Sequence, residues 1–117
     1  MWSRNVKKIE AIVPSEDAQS ALDALEGMGV YFSYSDIKGR GRTPRKEEEH
    51  DMGAGRVKVS AEFSPGALIM TVVNDSMEES VIEAIRKNSN SEGKIFVSEL
   101  QDAIDIKSGQ RGESVAQ

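Results

Sequence analysis

Residues Ala67–Val73, "ALIMTVV", form a near-continuous apolar run. Ser64-Pro65-Gly66 before it carries a turn signal. A short apolar run placed this way predicts a central, buried strand. A central strand needs partner strands and a covering layer, and the rest of the chain has to supply both.

Val6–Val13, "VKKIEAIV", alternates as a strand with Ile9, Ala11 and Val13 on one side. Pro14 breaks it. Ser15 fits an N-cap, with Glu16 and Asp17 in the first turn, where the helix dipole favours acids. Ala18, Leu22, Leu25 and Met28 follow at helical spacing, and Gly27 and Gly29 stop the helix. "VYFSYSDIK" (Val30–Lys38) alternates and is rich in strand formers.

After the central run, "NDSMEESVIEAIRKN" offers two overlapping capping boxes, Asp75 with Glu78 and Ser76 with Glu79. Met77, Val81, Ile82 and Ile85 form its apolar stripe. Met28, Met70 and Met77 sit at core periodicity. "NSNSEG" ends the helix and "KIFVSEL" (Lys94–Leu100) reads as a strand. A short helical turn is expected over Gln101–Ile104, followed by a short extended piece and then a polar tail, residues 108–117.

Between the halves, "GRGRTPRKEEEHDMGAG" (Gly39–Gly55) has almost no apolar residues. It reads as a long loop that orders on a partner, with "RVKVSAEF" (Arg56–Phe63) as an extended arm. The order β-α-β-loop-β-α-β is the split-βαβ, ferredoxin-like α+β pattern, within one domain spanning residues 1–117. Apolar residues on both strand faces, among them Val57, Leu68, Met70, Val72 and Phe96, predict an oligomer.

Composition removes several function classes. With a net charge of −5 and 5% aromatics, the chain lacks the basic face and the stacking platform of a nucleic-acid binder. It has no cysteine, so no disulfide or thiolate metal site can form, and a lone histidine, His50, makes zinc binding a poor fit. No apolar stretch approaches the roughly 20 residues of a membrane helix. "MWSRNVKK" is followed by too short an apolar stretch for a signal peptide. A cytoplasmic protein is expected, membrane-associated only through a partner. Trp2 either packs on the sheet or stands free.

In this order the elements resemble the PII signalling proteins. "VKKIEAIV" resembles that family's opening strand, and "SDIKGRGR" the strand end and Gly-x-Gly-Arg base of its T-loop. "VVNDSMEESVIEAI" resembles the second βα unit. "GKIFVSELQDAIDIKSGQRGE" resembles the closing strand and C-loop. The resemblance implies a homotrimer of ferredoxin-like subunits with a long T-loop, residues 39–66, and a short C-terminal extension. It implies an adenine nucleotide held at clefts between subunits and a small-molecule effector. The carried-over nucleotide positions are Ser33, Gly39, Gly41, Arg42, Gly93, Lys94, Lys107 and Arg111, with Lys94 reaching phosphate and the C-loop bases coming from a neighbouring subunit. Arg45, Lys46, Glu47, Glu48 and Glu49 would dock on a partner, a membrane transporter or a metabolic enzyme. No catalytic or metal-ligating residue is implied.

The sequence also departs from the family pattern. "NSNSEGK" is a shortened B-loop, with Glu92 where an aspartate is usual. Asp105 stands where a phosphate-binding arginine is usual, and Lys107 replaces a second one. A carboxylate beside a triphosphate is repulsive, which favours ADP or AMP over ATP. The T-loop has no tyrosine to modify. Thr43 replaces the glutamine that helps hold Mg2+ and 2-oxoglutarate, and Gly66 falls near the lysine that pairs with it, so Mg2+ is left open. Three alternatives stay open: a carbon-uptake or carboxysome relative that responds to bicarbonate, a trimeric scaffold without nucleotide, and a small phosphatase. The phosphatase would need an arginine cradle in "VPSEDAQ", which has none.

Overall fold

The computed structural model describes residues 6–40, 47–51, 56–60, 63–90 and 92–116. Trp2, Gly41, Arg42, Thr43, Arg45 and Lys46 lie outside the described residues. The elements run β1 (Val6–Pro14), α1 (Ser15–Gly27), β2 (Phe32–Gly39), β3 (Glu47–Asp51), β4 (Arg56–Ser60), β5 (Ser64–Asn74), α2 (Asp75–Lys87) and β6 (Lys94–Glu99), closed by a 3-10 helix at Gly112–Ala116.

The apolar run becomes the middle of β5, which lies between β2 and β1 in a sheet ordered β2-β5-β1-β6. Every neighbouring pair is antiparallel. β1 and β2 therefore run parallel with β5 inserted between them, and β5 and β6 run parallel around β1. This is the ferredoxin-like α+β arrangement the element order predicts.

Odd-numbered residues of β1 and β5 face the helices. Ile9, Ala11, Val13, Ala67, Ile69 and Val73 pack with Ala21, Leu22 and Leu25 of α1 and Val81 and Ile85 of α2. Full burial of side chains such as Leu25, Ile69 and Ile85 contributes roughly 1.5–3 kcal/mol each. Met28 and Met77 join this core. Met70 does not: it pairs with Ser33 and Glu10 on the other face. There the even-numbered Leu68, Met70 and Val72 are half-buried, and Ile12 and Phe96 are exposed.

Several local readings are corrected. Ser64-Pro65-Gly66 is strand, not turn, because Pro65 pairs only with Lys38 of β2 and lies beyond the last β1 pair, Pro14 with Gly66. Its missing N–H is therefore not needed on that side. Ser15 is the first helical residue, with Pro14 at the N-cap and no side-chain cap. Neither capping box closes on α2: Asn74 is the N-cap, and Asp75 is instead 2.6 Å from the Lys7 ammonium. The acidic run of the long loop is not plain coil, since Glu47–Asp51 pairs with Arg56–Ser60 as a hairpin. Gln101–Ile104 is not helical. Ile104 bridges Arg111, and the Gly112 N–H reaches the Ala103 carbonyl. The tail after it is partly structured, as the 3-10 helix touches β5 and β1.

Candidate functional site

Both loop stems of interest emerge at one end of the sheet. β1 and β2 finish there, and β5 and β6 begin there. Gly39 pairs with Ser64 at the neck of the long loop. The Arg40 guanidinium stacks over the Phe63 ring at 5.0 Å, joining the two sides of that neck by a cation–π contact.

Lys94 opens β6 and pairs with Ile12, in the row Ser35–Leu68–Ile12–Lys94 across the sheet. Gly39 lies on the opposite edge strand, three strand spacings or about 14 Å away laterally, and four residues farther out. The fold thus brings Gly39 and Lys94 to the same end without bringing them into contact.

Gly93 has φ of 128°, and a Cβ there would sit 2.3 Å from the Ile12 carbonyl oxygen. Only glycine lets the chain turn so close to the β1 backbone before entering β6. Upstream, the Asn88 side chain caps the Ala84 carbonyl at 2.7 Å, which closes α2. Asn90 then donates twice to Asp17: its backbone N–H to Oδ2 at 3.2 Å and its Nδ2 to Oδ1 at 3.1 Å. Asp17 is buried, at 4% exposure. A carboxyl group tolerates such burial only when hydrogen-bonded, and Asp17 sits in the first turn of α1, where an acidic side chain is favoured.

An open groove of about 540 Å3 runs between α2 and β6, with Val13 and Ile85 on its floor and Arg86, Asn90, Gly93 and Lys94 along its rim. The rim also carries the Glu92 carboxylate, and Arg86 there is paired with Glu83 at 3.4 Å. Among the described residues, no three His, Cys, Asp or Glu side chains gather as a metal site. Among the same residues, no helix is long and apolar enough to cross a membrane.

The remaining sequence-derived positions lie elsewhere. Ser33 is the second residue of β2, half-buried, six residues before Gly39 and at the other end of the strand. The chain leaves β6 at the opposite end of the sheet, where the Leu100 N–H reaches the Val6 carbonyl. Lys107 is exposed in the hairpin loop that follows. Arg111 Nη1 is 2.6 Å from Asp102 Oδ2. Asp105 is turned into its own loop, where Oδ1 accepts from the Lys107 N–H, the Ser108 N–H and the Ser108 hydroxyl. The Ser108 N–H and hydroxyl hold its carboxyl below the usual 3.8. Glu47, Glu48 and Glu49 lie in β3, paired with Ser60, Val59 and Lys58.

Two features escape sequence reasoning. The Asp17–Asn90 pair spans 73 positions and leaves no local pattern. The Arg40–Phe63 contact had a partial signal, an arginine between two glycines at the loop neck.

Comparison with known proteins bears on these observations. The family described as "Nitrogen regulatory protein P-II" matches residues 6–110. A nitrogen regulatory protein P-II of Cereibacter sphaeroides is 36% identical over 113 residues, covering 92% of this chain and 97% of its own. Nitrogen regulatory protein P-II 1 of Methanothermobacter thermautotrophicus is 31% identical over 114 residues, covering 93% and 96%. A crystal structure of Arabidopsis thaliana PII bound to citrate superposes with a TM-score of 0.72 at 28% identity, covering 95% of this chain and 92% of that one.

Proposed function

The chain belongs to the nitrogen regulatory protein P-II family, and from that premise we propose that it is a non-enzymatic signalling protein that binds an adenine nucleotide between the subunits of a homotrimer. Binding shifts the long loop between conformations, and the loop then docks on a transporter or metabolic enzyme of nitrogen or carbon metabolism. The coupling is the differential affinity of the ligand for the loop states.

One observation carries the reading. The Gly93-Lys94 turn, held against Ile12, opens at the same end of the sheet as the Gly39 neck of the long loop. A ligand that reaches the cation lies at the end of the sheet from which the loop emerges. Lys107 and Arg111 belong to a segment that leaves β6 at the far end of the sheet, which fits their serving a neighbouring subunit's cleft. The apolar even-numbered face, with Phe96 51% exposed, is the surface such neighbours would cover. The citrate in the Arabidopsis PII supports a small anion as a ligand class for this fold.

Asp105 keeps its charge, because the hydrogen bonds of its loop favour the ionised form. A carboxylate near the ligand favours fewer phosphates, so ADP or AMP is preferred over ATP. Isothermal titration calorimetry with ATP, ADP and AMP, each with and without Mg2+, tests this. Micromolar binding of ADP or AMP that Lys94→Ala abolishes is the expected result. If no nucleotide binds, the protein is a scaffold on the same fold.

A further inference from the structure

We propose that Asp17 is a positioning residue for the phosphate-facing turn: by gripping Asn90 it seats the loop that delivers Gly93 and Lys94 on the β1–α1 junction. The inference rests on the nucleotide reading above and extends it to residues that reading does not use.

The loop is fixed at two points. Asp17 takes both donors of Asn90. Gly93 lies against the Ile12 carbonyl, where no Cβ fits. Only residues 91 and 92 separate these anchors. Both anchors rest on one short stretch, Ile12 to Asp17, which includes the "VPSED" that offers no cradle for catalysis. Its use is mechanical.

Core stability does not explain Asp17. A small apolar residue at so buried a position would avoid the desolvation cost of a carboxylate, and the net stabilisation from a buried hydrogen bond is modest. What the carboxylate supplies is direction: two oxygens meet two donors on one residue, which sets both the position and the rotation of Asn90. A shortened loop has few backbone amides to offer an anion. Its remaining donor, Lys94, gains most from being held in place before the ligand arrives, because apparent affinity scales with the population of the competent conformation.

The test uses the full chain and four variants: Asp17→Ala, Asn90→Ala, Asn90→Asp and the double exchange Asp17→Asn with Asn90→Asp. Amide hydrogen exchange is read at position 90 and at Lys94 and Ile95, with the β1 and β5 amides as the internal reference. The ADP dissociation constant is measured in parallel. Losing a charge-assisted pair should speed exchange in the loop by about tenfold or more, with the β1 and β5 amides unchanged. The ADP dissociation constant should rise by about tenfold. Asn90→Asp, which sets two carboxylates face to face, should be the worst single variant, and the double exchange should restore both readouts.

Asn90 is exposed, so Asn90→Ala keeps the test alive should Asp17→Ala fail to fold. Unchanged loop exchange in a folded variant overturns the inference, as does faster exchange with wild-type ADP affinity. If the wild-type protein binds no ADP, it is the nucleotide reading that falls, and the exchange data alone decide whether Asp17 seats the loop.

Discussion

Lys7 Nζ lies 2.6 Å from Asp75 Oδ1 and 3.9 Å from Glu78 Oε1, so β1 is tied to the first turn of α2 by an ion pair at a helix N-terminus. The Asp75 hydrogen bond holds the Lys7 ammonium above its ordinary value of 10.5. A group raised in the folded state stabilises fully below its unfolded value and loses that contribution as pH rises through the folded one. The stability gap between wild type and Lys7→Met should therefore be flat up to about pH 10 and close above 10.5. Urea melts from pH 8 to 11.5 read it directly. A gap that persists through the alkaline range would mean the pair is not formed in solution.

Gly93 and Gly27 should respond oppositely to the same substitution. At Gly93 the added Cβ meets a backbone carbonyl at 2.3 Å and φ is 128°, so Gly93→Ala should cost about 1–3 kcal/mol. At Gly27, the last residue of α1, an ideal Cβ has nothing within 4 Å. Gly27→Ala should stabilise by about 0.4–1 kcal/mol through the unfolded state. Chemical denaturation of the two variants side by side checks the sign of each.

Asp105 should titrate visibly. Its carboxyl is lowered below 3.8 by the Ser108 and Lys107 donors, so its contribution to the hairpin is present above that value and lost as pH falls through the lower folded one. The Ser108 amide resonance should report a midpoint below 3.8. Asp105→Asn should remove the titration and speed exchange at the Lys107 and Ser108 amides. A midpoint at or above the ordinary value would show that the loop does not close as described.

Thr71 is fully buried in β5 and donates its hydroxyl to the Tyr31 carbonyl. This contact fixes the chain just before β2. Thr71→Val keeps the volume and loses the bond, so it should cost about 1 kcal/mol. The urea midpoint should fall with an unchanged slope; an unchanged midpoint would show that the bond is redundant with solvation.

Much of the fold was legible in the residues. Alternation placed β1 and β2, the apolar run placed β5, and the stripes Leu22/Leu25 and Val81/Ile85 placed the helices and their buried faces. β3 was missed because Glu47–Asp51 is a strand of acids and a histidine, with no apolar alternation and low strand propensity. Its pairing with Arg56–Ser60 supplies what the composition does not. The capping boxes were misread because Asp75 has a better partner in Lys7, 68 positions away, than in its own helix. The Gly93-Lys94 turn was visible as a motif, whereas its seat was not.

By itself the sequence determined the element order, the core faces and the lysine at the head of the last strand, because these follow from local period and residue type. The tertiary structure alone decided that Asp17 meets Asn90, that Gly93 leaves no room for a side chain beside Ile12, and that Lys107 and Arg111 follow a strand that exits far from Lys94. Those relations depend on which strands lie side by side, and inserting β5 between β1 and β2, and β1 between β5 and β6, brings together residues that no local pattern connects.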